Sequence, residues 1–339
     1  MTYHRITLIA AAFAVVLVAR PVLADDAVSS EEASYDHAPV TLWLVPNIGV
    51  GGLSSRRLRT NFALALGASA YARLDGADIG VGASWITEEM RGAQISVGLN
   101  HVGADATGVQ VAAGFNYVGG DLSGLQLASG VNYGRTVEGA QIGIINVGGQ
   151  VGGAQIGIIN VAGGVKGAQI GVINVAEDSS APIGVVNAVK NGLHHVELWS
   201  SEAAPVNVSV KLGGRQLYTV LAVGVESSND KQRWMTGLGI GVHLPIAERL
   251  YLEHELITWH VNEGWSFTDE LNSLTSLRLI GGYRLNGTMS VFAGPTLNLL
   301  ATQVGHGEGF GLIHGARLTS EDSDTTVRLW PGFTAGFQI

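Results

Sequence analysis

The residues able to do chemistry are few. In "HHVELWSSE", His194 to Glu202, two histidines stand close to two serines, and His195, Glu197 and Ser201 share a face if the segment is a strand. A base beside a hydroxyl is the arrangement that activates a serine nucleophile. The spacing here matches no hydrolase motif, and interfacial residues at a strand end account for it. His254 and His260 share a face too, but six residues along a strand place them roughly 20 Å apart, too far to ligate one metal. His306 and His314 fall in a polar loop and read as solvated. "GHGEGFG" and "GVGG" lack the strand and helix that turn a glycine run into a phosphate cradle.

Charges form the constellation of greater interest. With Leu250, Leu252 and Leu256 on one face of a strand, Glu253 and Glu255 lie on the other. The same alternation brings Arg278 and Arg284 beside them from the next strand. Opposite charges on neighbouring strands make a ladder across a lumen, there either to solvate one another or to tune a pore. No catalytic, cofactor-binding or metal-binding residue is expected, and no cofactor.

The elements that position these residues follow from composition and period. The chain has 339 residues, a net charge of −9, 48 glycines and no cysteine. The missing cysteines exclude thiol catalysis, cysteine-ligated zinc and a disulfide framework. Only 14% of residues are charged, against about 25% in an ordinary domain, which suits a β protein facing something apolar. With no basic patch to neutralise phosphates, a nucleic-acid partner is not expected.

Residues 1–24 read as an export signal. Arg5 supplies the positive start, Ile6 to Val18 an apolar run too short to span a bilayer, and "VLA" a cleavage site before Asp25. Residues 25–39 are expected to be a flexible segment, and 40–339 a β-barrel that includes a glycine-rich repeat region, 76–190, and a barrel-like region, 194–339. Beyond Val18 no apolar run reaches the ~18 residues of a membrane helix, so any crossing would use strands.

A marker glycine recurs at Gly76, Gly92, Gly108, Gly124, Gly139, Gly153 and Gly167, so the spacing tightens from 16 residues to 14. Within "GAQISVGLNHV", Ala93, Ile95, Val97 and Leu99 oppose Gln94, Ser96, Gly98 and Asn100. That alternation is a strand's, not a helix's. Two architectures use such units. In an antiparallel barrel of about 16 to 18 strands, Ile95, Val97, Val111 and Leu127 meet lipid while Gln94, Gln110 and Gln126 face the lumen. Gln141 and Gln155 then sit at opposite ends of adjacent strands. In a β-solenoid of 14- to 16-residue coils, joined to a smaller barrel of about eight strands, like residues stack into ladders. The unbroken run of strands favours the continuous barrel, and the near identity of the 14-residue copies favours the solenoid.

From His194 onward, short turns at "PIAER" and Asn286-Gly287 trade places with the long connectors "NEGWSFTDELNS" and "QVGHGEGFGLIHGARLTSEDSDTT". Short turns on one side and long loops on the other suit an outer-membrane barrel.

The closing strand, "RLWPGFTAGFQI", resembles the insertion signal of bacterial outer-membrane proteins, with Phe337 and Ile339 where an aromatic terminus is usual. The repeats resemble the "GLQIGLxN" units of Gram-negative surface-repeat proteins, with Ala at the second position where Leu is commoner. The resemblance implies an exported, outer-membrane location and a repeat-and-barrel architecture; the chain is expected to be an integral outer-membrane protein of structural or porin-like role, or an adhesin-like repeat protein displayed on a barrel anchor. Its implied partners are outer-membrane lipid, the barrel-assembly machinery through the C-terminal strand, and small solutes or a surface partner.

Overall fold

A computed structural model describes residues 35–46, 48–50, 57–228, 231–305, 316–319 and 324–339. The expected signal peptide lies outside the described residues, as do His306 and His314. Of the segment expected to be flexible, Asp36 onward is already strand, part of Asp36–Val45. The chain is all-β, in two sheets.

The first sheet is a stack of parallel coils from Asp36 to Val189. One coil carries the strand Met90–Ser96, a tight corner at Val97-Gly98, the strand Leu99–Val102, and a second corner leading to Ala106–Ala112 above. Gln94 pairs with Gln110, Gln110 with Gln126, and Gln141 with Gln155, each in register. The antiparallel pairing expected of a continuous barrel is therefore corrected: Gln141 and Gln155 are neighbours on successive coils, and the solenoid is the arrangement adopted.

The physical reason lies in the amides. Turned into the coil they are cut off from water, so each must find a partner or cost about 1–3 kcal/mol. Stacking like on like satisfies them: Gln155 Nε2 donates to Gln141 Oε1 at 2.8 Å, and Asn146 Nδ2 to Asn160 Oδ1 at 2.9 Å. The glutamine ladder runs from Gln94 to Gln169 and the asparagine ladder from Asn100 to Asn187. At Gly92 the backbone takes φ 128° and a Cβ would meet the carbonyl oxygen of Gly76, so this column of the stack admits only glycine.

The second sheet is an antiparallel barrel. Its strands are Leu193–Ser201, Val206–Gly213, Leu217–Ser228, Lys231–Pro245, Leu250–Glu263, Asn272–Arg284, Ser290–Thr302 and Thr326–Gln338. Pairing of the first strand with the last, Trp199 opposite Gly336, closes it. The structure thus holds a closed barrel of eight strands, not 16 to 18, because the repeats contribute none. Short turns at 214–216, 246–249 and 285–289 share one end with the start of the first strand and the end of the last, while the connector 264–271 lies at the other.

Candidate functional site

Alternation along the barrel strands sorts side chains by chemistry. Leu198, Val223, Leu238, Leu252, Leu279 and Leu297 point outward and are exposed. Glu197, Lys211, Arg233, Glu253, Glu255 and Arg278 point inward and are buried. An outward belt of aliphatic residues over a charged interior inverts the usual plan of a soluble protein.

The interior charges meet at one place. Lys211 Nζ lies 2.7 Å from Glu197 Oε1, 2.6 Å from Glu253 Oε2 and 2.6 Å from Glu255 Oε1. Arg278 Nη1 donates to Glu255 Oε2 at 2.7 Å, and its guanidinium lies 3.9 Å from the centre of the Trp199 ring. Ser209 and Tyr218 donate to Glu197 and Glu255, at 2.8 and 2.7 Å. Three carboxylates thus surround one ammonium, tying the first, second and fifth strands across the lumen.

Of the charges expected to share a lumen, Glu253, Glu255 and Arg278 are brought together here. Arg284 is not: it sits exposed at the short-turn mouth, with Nη1 3.5 Å from the Glu248 carbonyl oxygen and Nη2 3.3 Å from His243 Nε2. Arginine only donates, so Nε2 accepts and His243 Nδ1 carries the proton shared with Glu253 Oε1 at 2.8 Å. Lys211, the hub, was not singled out from the sequence. The signal was there in "VNVSVKLGG", where Asn207, Ser209 and Lys211 alternate with Val206, Val208 and Val210.

The arrangement is not built for a metal. Glu197, Glu253 and Glu255 offer oxygens within 4.8 Å of one another, but the Lys211 ammonium occupies the point between them. It is not built for nucleophilic catalysis either. Ser201 is engaged in the turn, accepting from Ala204 N at 3.2 Å, while His195 stands at the other end of that strand, roughly 20 Å away. His254 faces outward among the belt residues.

Nor do the described residues leave a channel. Trp199, Trp259 and Trp330 are buried above the charges, and the turn after the first strand folds inward, with Ala203 and Ala204 buried. Glu202 in that turn accepts from Trp330 Nε1 at 3.2 Å and from Phe333 N at 2.9 Å. An eight-stranded barrel is just wide enough for side chains to fill it, and these do.

Outside the barrel, Asp78 and His101 are among the ionisable groups of the solenoid displaced from their ordinary values. Burial pushes the Asp78 carboxyl up, opposed by hydroxyls donated from Ser84, Tyr71 and Ser69. Burial holds His101 down at about 4. Its ring is stacked between Trp85 and Tyr117, at 3.9 and 4.9 Å between centres. Compared with protein families, curated proteins and solved structures, the chain finds no match.

Proposed function

We propose that this protein is an integral protein of the bacterial outer membrane, in which the eight-stranded barrel is a closed anchor and the solenoid is the part that makes contacts. The observation that carries this reading is the sorting of side chains in the barrel wall. Leu238, Leu252 and Leu279 expose 48, 42 and 43% of their surface, while Glu253 beside Leu252 and Arg278 beside Leu279 are buried. In water such a belt would be costly at about 25 cal/mol per Å²; in lipid it is the expected outer face.

A porin-like role draws no support from the filled lumen, so anchoring rather than solute passage is proposed. Connectivity supports a side for the solenoid. In outer-membrane barrels short turns face the periplasm, and the solenoid enters the barrel at the end carrying the turns 214–216, 246–249 and 285–289. A periplasmic solenoid fits that better than an adhesin-like one displayed on the surface. The export signal, the C-terminal strand and the resemblance of the repeats to Gram-negative surface-repeat proteins support the compartment.

The test is insertion into vesicles. Leu238→Arg or Leu279→Arg should cost roughly 2–4 kcal/mol at mid-bilayer depth, lowering the folded yield, while Thr334→Ser on the inner face should leave it unchanged. Equal yields for all three would contradict a barrel in lipid.

A further inference from the structure

The solenoid carries an apolar ridge of its own. At the corner between its two faces stand Leu66, Val81, Val97, Ile144, Ile158 and Val185, exposed by 40 to 67%. On one side of this row runs the register column from Leu64 to Ile183, and on the other the column from Leu99 to Val186. The corner row spans nine coils, from Leu66 to Val185, and is broken at its middle by the small Ala113 and the polar Ser129. At ~4.8 Å per coil the row is about 40 Å long. The opposite corner holds the charges: Asp105, Asp121, Arg135, Glu138, Lys166 and Asp178 are all exposed there.

The contact with the barrel fixes which way each corner faces. The asparagine ladder runs along the solenoid axis, and its last member, Asn187, donates to Thr219 Oγ1 on the outer wall of the barrel at 2.7 Å. The last coil therefore packs its open end against the wall. On the charged corner, Asp178 Oδ1 accepts from Arg215 at 2.9 Å, in the short turn at the barrel's end. On the apolar corner, the Gly184 carbonyl, flanked by Ile183 and Val185, accepts from Thr219 at 2.6 Å. Thr219 lies in the strand that follows, two residues past its start at Leu217 and so about 7 Å up the wall, and Leu221, Val223 and Val225 follow it on the same face. The apolar ridge runs into the barrel's apolar belt, and the charged corner stays level with the turn.

We propose that the solenoid lies flat against the membrane leaflet at the short-turn end of the barrel, with its aliphatic ridge among the acyl chains and its charged corner in water. This rests on the barrel being in lipid and adds a second, non-spanning membrane contact to it. Lipid suits the surface in kind as well as in place, because a row that is aliphatic but for Ala113 and the single hydroxyl of Ser129 offers no pocket and little hydrogen bonding to select a folded partner. It is the surface an interfacial amphipathic helix presents, built from coils.

The chain has no cysteine, so single-site labels are unambiguous. A polarity-sensitive fluorophore would be placed on Val97→Cys and Ile158→Cys of the ridge, Glu138→Cys of the charged corner, and Leu238→Cys of the belt. The full chain would be folded into phosphatidylcholine vesicles whose acyl chains carry a nitroxide quencher. Quenching at Val97 and Ile158 within about a factor of two of that at Leu238, with none at Glu138, is the expected result for an interfacial face. Quenching at Leu238 alone would overturn the proposal and leave the barrel reading standing. Ridge positions shielded from aqueous iodide yet unquenched by lipid, with disulfides forming between chains at Val97→Cys, would assign the ridge to a second copy instead. No quenching at Leu238 would defeat the barrel reading and the ridge proposal together.

Discussion

Asn187 Nδ2 donates to Thr219 Oγ1 at 2.7 Å, so the asparagine ladder of the solenoid ends on a barrel hydroxyl rather than in water. Thr219 points outward from its strand yet is only 5% exposed, because the last coil covers it. A stack of coils has an open end whose polar groups need a cap, and here the barrel wall supplies it.

Replacing Thr219 by Val keeps the shape and removes the shorter of two acceptors of the Asn187 amide, leaving the Gly184 carbonyl at 3.3 Å. Loss of about 1–3 kcal/mol from the last coils is expected, read as earlier proteolysis around residues 173–189 with barrel folding unchanged. Thr219→Ser should restore most of it. Equal protection in all three proteins would mean that the cap contributes nothing.

Parallel stacking makes a geometric demand on exposed positions. Ile156 and Ile170 are register partners on successive coils, each about two-fifths exposed. Cysteines at both sites should lie about 4.8 Å apart at Cα, within disulfide range, and should cross-link rapidly under mild oxidation. Failure to cross-link would count against in-register coils.

The sequence made the alternation in both halves legible, and with it which residues face in. Glu253, Glu255 and Arg278 do point into the lumen, and Gln94, Gln110 and Gln126 do oppose Ile95, Val111 and Leu127. Strand direction in the repeats was not legible, because a 14- to 16-residue unit with two apolar faces suits a hairpin or a coil equally. What separates them is that each buried amide finds its own kind one coil away, as Gln126 finds Gln110, and near identity of the copies was the trace of that requirement. Arg284 obeys the parity that put it inward, but it is the last residue of its strand, where the lumen opens. Lys211 was overlooked because one lysine among valines announces no partner until two other strands bring their three glutamates to it.

Lys211 should be the least replaceable charge in the barrel. Lys211→Met leaves Glu197, Glu253 and Glu255 facing one another, with Arg278 beside Glu197 and Glu255 and the His243 hydrogen bond to Glu253 as what remains to offset them. Removing one partner of a buried ion cluster costs roughly 3–5 kcal/mol, whereas Arg284→Gln at the exposed mouth should cost less than about 1 kcal/mol. Urea unfolding in vesicles, followed by the heat-modifiable mobility of the folded barrel, measures both. Equal midpoints for the two variants would refute the hub assignment.

Acid should loosen the solenoid through His101. Burial lowers its pKa from the usual 6.5 to about 4, so between those values the unfolded chain binds a proton that the folded chain does not. Stability from this group is complete above pH 6.5 and is lost as pH falls toward 4. His101→Tyr, which continues the ring stack of Tyr117 and Tyr133, should remove that part of the slope. An unchanged dependence of the unfolding midpoint on pH would exclude His101 as its source.

The central claim is a barrel in the outer membrane with its solenoid on the periplasmic side. Single cysteines at Trp265 in the long connector 264–271, at Glu248 in the short turn 246–249, and at Glu138 on the charged corner of the solenoid report the three locations. Intact cells would be treated with a membrane-impermeant maleimide, before and after permeabilising the outer membrane. The account predicts that Trp265→Cys is labelled in intact cells, and that Glu248→Cys and Glu138→Cys are labelled only after permeabilisation. Labelling of Glu138→Cys in intact cells would contradict it, placing the solenoid outside the cell.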